Sequence, residues 1–215
     1  MTTKTTSEKR ARSPKARSEY HHGDLPSTLL VESLKVLEDG GVESFTLREV
    51  ARRVGVNHRA VYRHYEDKRA LLAAIAEQGY LALTEEAKVA ASEAHTPEDR
   101  IHAIFEAYVR FARRAPARYQ VMSGPRLNVD GRFPKLEEAI SSAARVFVSE
   151  LRLVAPDCDK TLLRDTVMSL VTSIHGFTSM MLTRRLKLNE KYIRSYVRVV
   201  MSPVVEGTLA HIRRA

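Results

Sequence analysis

Along most of this chain apolar residues recur at spacings of three and four, with polar residues between them, which is the period of a helix and not of a strand. Leu30, Leu34 and Leu37 share one face of a helix expected over 25–39, with Asp24 as its cap, Pro26 in its first turn and Gly40-Gly41 at its end. Leu47, Val50, Ala51 and Val54 fall at i, i+3, i+4 and i+7, the stripe of a second, short helix. Gly55 stands where a left-handed turn ends it, Val56 plugs the gap beyond, and Asn57 caps a third helix. In that third helix Ala60, Val61 and His64 cluster on one side, while His58, Arg59, Tyr62 and Arg63 occupy the other. A long helix runs from Lys68 to about Val89, and residues 92–97 break it.

Beyond the break the same period continues. The spacing predicts a helix over 98–114 through Ile101, Ile104, Phe105, Tyr108 and Phe111, and loops at Pro116 and over 124–134. Leu136, Ile140, Ala144, Phe147 and Leu151 mark a helix over 135–154. Two long helices close the chain, over 159–185 and 190–213, with a kink expected at Pro203. No strand-like alternation is sustained. The expected fold is all-α, with an N-terminal three-helix helix-turn-helix domain and a C-terminal helical ligand-binding and dimerisation domain.

Composition narrows this further. The 215 residues are 44% hydrophobic, enough for a small and a medium domain. No apolar run reaches the roughly 18 residues a membrane span needs. The single cysteine, Cys158, excludes an internal disulfide and fits a reducing cytoplasm. Asp157 and Asp159 beside it oppose thiolate formation. The net charge of +9 is uneven. Lys4, Lys9, Arg10, Arg12, Lys15 and Arg17 face only Glu8 and Glu19 in residues 1–20, which lack a large apolar residue before Tyr20. This reads as a disordered basic arm without the apolar core of a signal peptide. Such an arm follows phosphates or enters a minor groove, or it is a solvating tail that raises non-specific affinity.

Chemistry concentrates in the third helix. Residues 57–65 contain no carboxylate, which a merely solvated face seldom lacks. A short helix with one buried side and a face of Arg, His and Tyr is what the major groove accepts. Catalysis has little to stand on. The eight histidines include no His-Glu-x-x-His, there is no cysteine pair and no glycine-rich phosphate loop. No catalytic residue, metal site or cofactor is expected.

The segments Phe45-Thr46-Leu47-Arg48-Glu49-Val50-Ala51, Val54-Gly55-Val56 and Val61-Tyr62-Arg63-His64-Tyr65, with Asp67-Lys68 and Leu71-Leu72, resemble the DNA-binding domain of the TetR family of bacterial regulators. The likeness reaches back to Tyr20-His21-His22-Gly23-Asp24-Leu25, a lead-in of one subgroup. Ser173-Ile174-His175-Gly176-Phe177 resembles that subgroup's Trp-His-Gly motif without its tryptophan. The resemblance implies a transcriptional regulator with a basic arm over 1–20, a DNA-binding domain over 21–70 and a ligand-binding and dimerisation domain over 71–215. It implies phosphate or base contacts from Thr46, Arg48, His58, Arg59, Tyr62, Arg63, His64 and Lys68 on a palindromic operator. The expected mode is a repressor released by a small molecule; an activator or an effector-independent DNA binder is the alternative.

A homodimer is expected through the last two helices, on the faces Leu163, Val167, Leu170, Val171, Ile174, Thr178, Met181 and Tyr196, Val199, Val200, Val204, Leu209. The effector is expected to be small and largely apolar, held by Phe105, Tyr108, Met122, Phe147, Met168 and His175. The same residues also suit an ordinary core.

Overall fold

The computed structural model describes residues 25–214, and the basic arm, His21, His22 and the Asp24 cap lie outside them. Nine α-helices and no strand are found among the described residues: α1 Leu25–Ser44, α2 Leu47–Val54, α3 His58–Tyr62, α4 Lys68–Ser92, α5 Pro97–Arg114, α6 Pro116–Ser123, α7 Pro134–Val154, α8 Lys160–Leu182 and α9 Ile193–Ile212, the last entered by a 3-10 turn, Glu190–Tyr192. The all-α expectation holds.

Local chemistry sets most boundaries. Thr46, Asn57, Asp67, Thr96 and Asp159 each accept a backbone N–H of the helix they precede. Gly55 closes α2 at φ 76, a left-handed conformation that a side chain disfavours. Several features depart from the sequence pattern. The first helix continues to Ser44 through a bend at Gly41, where Ser44 Oγ bonds the Gly40 carbonyl. The pattern contains no helix over 116–123, yet α6 forms there, started by Pro116 in its first turn. Helix α9 runs unbroken through Pro203. The carbonyl four residues back, which proline leaves without a donor, belongs to Val199, which is exposed and open to water.

Two apolar cores result. In the reading head, Leu29, Val36, Leu37, Phe45, Leu47, Val50, Val54 and Val61 pack together, and this core continues into Leu71, Leu72 and Ile75 of α4, Ala117 and Val121 of α6, and Leu136 of α7. The second core is built by α5, α7, α8 and α9 around Phe105, Leu151, Leu170, Ile174, Val205 and Leu209. Helix α4 belongs to both. Its 25 residues span about 37 Å.

The second core corrects the expected dimer face. Leu163, Val167, Leu170, Ile174, Thr178 and Met181 of α8 are buried within the chain itself, as is Leu209 of α9. Helical period shows that a face is covered without showing by what, and here α5, α7 and α9 cover it. The apolar side chains left exposed on these two helices are Met168, Met180, Tyr196, Val199 and Val200.

Candidate nucleic-acid interface and interior cavity

Helix α3 buries Val61 completely and turns His58, Arg59 and Tyr62 outward. With Arg63 just past its end and Arg48 from the first turn of α2, they line one shallow concavity. His58 and Tyr62 meet edge to face, their ring centres 6.3 Å apart. Among the described residues Arg48, Arg59 and Arg63 have no carboxylate partner, so their guanidiniums are free to meet a polyanion. Glu49, which follows Arg48 in the chain, is already engaged. Arg52 and Arg53 hydrogen-bond Glu49 and hold its carboxyl down to about 2, and Arg53 also reaches Asp39 at 2.6 Å.

The remaining expected contacts divide. Thr46 is exposed, its hydroxyl accepting the Glu49 N–H at 3.2 Å. His64 does not share the buried side with Val61. The helix ends at Tyr62, so His64 falls in the following turn, exposed, and the period no longer applies to it. Lys68 is half-buried, donating to the Val42 carbonyl at 2.6 Å with its ammonium 5.9 Å from the Phe45 ring centre.

Further along α4, Tyr80, Leu83, Thr84 and Ala87 form one wall of a cavity of about 240 Å³. Ile104 and Tyr108 of α5, Tyr119, Met122 and Ser123 of α6, Ile140, Ala143, Ala144 and Phe147 of α7, and Val171 and His175 of α8 complete it. Four of the six expected ligand residues therefore line one space: Tyr108, Met122, Phe147 and His175. Phe105 does not. It is fully buried behind Phe147, ring centres 5.8 Å apart. Met168 is 59% exposed on the outside of α8, two turns before His175 and beyond the helices that cover it.

Tyr80 escaped the sequence reading although an aromatic on the linking helix was its signal; Tyr119 stands among the aromatic residues of 98–182 that could supply a pocket, outside the six expected ligand contacts. Gly79 lets α6 approach, because a Cβ there would collide with the Met122 sulfur. The Tyr80 hydroxyl donates to the Met122 carbonyl at 3.0 Å. The Tyr119 and Tyr108 hydroxyl oxygens lie 3.0 and 3.3 Å from His175 Nδ1. Burial pushes both phenols above their ordinary range.

Residues 124–133, which leave α6 at the cavity, strap onto the reading head. Arg132 pairs with Glu66 at 2.9 Å and Asp67 at 3.0 Å, in the turn between α3 and α4. Arg69 pairs with Asp130, and both arginines lie over the Phe133 ring, at 5.5 and 5.1 Å. Asn128 holds the strap by accepting the Phe133 N–H and donating to Glu137.

A larger groove between α4, α5 and α9, about 920 Å³, is open and lined by ion pairs such as Arg194–Glu106 and Arg198–Asp99. Among the described residues no group of three His, Cys, Asp or Glu side chains is placed to hold a metal, and no helix is long and apolar enough to cross a membrane.

Comparison with known proteins converges on one family. Residues 29–75 match the family model of bacterial regulatory proteins of the tetR family, and residues 101–201 match that of the tetracyclin repressor-like C-terminal domain. The class A tetracycline repressor of transposon 1721 from Escherichia coli is 44% identical over 52 residues, 24% of each chain. The chain thus matches about a quarter of the length of that curated relative. A protein of unknown function from Rhodococcus sp. RHA1 superposes with a TM-score of 0.71 at 27% identity, covering 91% of this chain and 98% of the other. A bacterial regulatory protein of the tetR family from Rhodococcus RHA1 gives 0.59 at 20% identity over 86% and 95%.

Proposed function

This chain belongs to the TetR family of bacterial regulatory proteins and is a DNA-binding transcriptional regulator, and from that premise we propose that it is a homodimeric repressor released from a palindromic operator by a small molecule held in the α4–α8 cavity. The observation that carries this is the double membership of α4. Leu71, Leu72 and Ile75 belong to the core of the reading head, and Tyr80, Leu83, Thr84 and Ala87 wall the cavity. A molecule that fits the cavity better in one setting of α4 than another biases the head by that differential affinity. The strap from α6 to Glu66 and Asp67 is a second mechanical link from the cavity wall to the turn after the reading helix.

Arg48, His58, Arg59, Tyr62 and Arg63 read or grip the major groove in this proposal, with Thr46 and His64 at flanking phosphates. Lys68 positions Val42 and Phe45 beside them. Two heads must stand about 34–36 Å apart to enter successive major grooves, which requires a partner copy. The partner docks on α8 and α9, through Met168, Met180, Tyr196, Val199 and Val200 in place of the stripe that the chain buries internally. No cofactor is involved.

Genome-wide mapping of binding sites supplies the operator for the test. Affinity for that duplex is then measured against random DNA, with and without metabolites of the adjacent genes. Operator preference with weakening of at least about tenfold by one metabolite is expected; an operator affinity that no metabolite alters overturns release.

A further inference from the structure

Resting on the reading of the cavity as the effector site, we propose that its ligand is a neutral, single-ring-sized molecule carrying one hydrogen-bond acceptor, such as an aryl ketone, aldehyde or ester, which docks its oxygen on the Tyr108–Tyr119–His175 cluster. The size follows from the volume. About 240 Å³ lies below the roughly 300–1,000 Å³ of cavities that take drug-sized ligands. Neutrality follows from the wall. Among the described residues no Asp, Glu, Lys or Arg side chain lines the cavity, and an ion moved there would be buried without a carboxylate, ammonium or guanidinium partner. Arg118, on the same helix as Tyr119, does not line it and has its stem against Gly79.

The need for an acceptor follows from counting hydrogens. Two phenols and an imidazole carry at least three polar hydrogens between them. Nδ1 of His175 bears either a hydrogen or a lone pair; the two hydroxyls lie 3.0 and 3.3 Å from it and interact with each other, so the three groups hold at most two internal hydrogen bonds. With Nδ1 protonated the donor left over is a phenol hydroxyl, and with Nδ1 bare it is a phenol hydroxyl or His175 Nε2–H. Neither hydroxyl has an acceptor outside the cluster among the described residues, and all three groups line the cavity. An unpaired donor in an apolar space is costly until something accepts from it. Burial, with Tyr119 beside it, pushes the Tyr108 phenol far above its ordinary range and keeps it a donor. The Tyr80 hydroxyl is already spent on the Met122 carbonyl.

The test is calorimetric titration of the full chain with four single-ring probes: acetophenone, benzoate, trimethylphenylammonium and ethylbenzene. Acetophenone is expected to bind about tenfold or more tighter than each of the others. Tyr108→Phe, Tyr119→Phe and His175→Phe together remove every donor of the cluster, and within that triple variant acetophenone should bind no tighter than ethylbenzene. NMR of the Met122 methyl in the unaltered protein locates the site without any substitution, and acetophenone should shift it. Tighter binding of benzoate or trimethylphenylammonium, an undisturbed Met122 methyl, or no binding of acetophenone overturns the proposal. Effector release is read separately. Acetophenone binding at Met122 without loss of operator affinity sinks release and leaves the ligand class standing; a metabolite that releases operator without competing with acetophenone does the reverse.

Discussion

Arg132 Nη1 lies 3.0 Å from Oδ2 of Asp67, the residue that caps α4, so a side chain on the strap after α6 grips the joint between reading helix and linking helix. The same guanidinium takes Glu66 at 2.9 Å. Arg132→Ala releases both. Partly exposed pairs of this kind contribute about 0–1 kcal/mol each, so stability should fall by about 1 kcal/mol. Backbone amides of residues 66–70 should exchange faster with solvent. Unchanged exchange there would show that the strap is ornamental.

Arg59 and Lys68 should separate. Arg59 is exposed and has no carboxylate partner among the described residues, so Arg59→Ala relaxes sequence preference at one symmetric operator position by about 1–3 kcal/mol per base pair. Equal losses on operator and random DNA would remove Arg59 from base reading. Lys68→Ala instead loses the bond to the Val42 carbonyl, and chemical denaturation should register about 1 kcal/mol. A stability equal to that of the parent, with a smaller salt slope of DNA binding, would return Lys68 to the phosphates.

Charge on α8 and α9 should act differently at two depths. Val199 is 70% exposed, so Val199→Asp should leave helicity intact and yield monomers in sedimentation. Val167 is in the chain's own core, and Val167→Asp should cost about 3 kcal/mol or more, the charge being buried unpaired. A parent protein that sediments as a monomer at micromolar concentration defeats the dimer.

His102 is a source of acid sensitivity. It is buried between α5 and α9, its Nδ1 without a partner among the described residues and its Nε2 3.4 Å from Ser202 Oγ. Burial and then Arg198 lower its pKa, outweighing Glu106, Asp99 and Glu206. A depressed folded value means the unfolded chain takes up the proton first. The stability His102 contributes is present above about 6.5 and is lost as pH falls through its folded value. Between pH 7 and 5 the stability of His102→Gln should decline less steeply than that of the parent; parallel curves would acquit His102.

The helix-turn-helix was legible because every signal in it is local. The stripe Leu47, Val50, Ala51, Val54, the left-handed Gly55 and the Asn57 cap act within a few residues of one another, and the structure shows each in that role. The outward set His58, Arg59, Tyr62 follows from Val61 pointing inward. His64 went astray because α3 is five residues long and its period stops before reaching it.

What lies across the fold is a different matter. Period told that Leu163, Val167 and Ile174 face something, and only packing decided that α5, α7 and α9 cover them and a partner does not. Phe105, Phe147 and Met168 are alike in composition, yet one is core, one is cavity wall and one is surface, according to which helices stand opposite. Tyr80, Tyr119 and His175, or Arg132 and Asp67, are far apart in sequence and meet through the close approach at Gly79 and the turn of the strap. A helical repeat constrains direction around its own axis, so the chain alone determined which sides are buried, and the tertiary structure decided what each side touches.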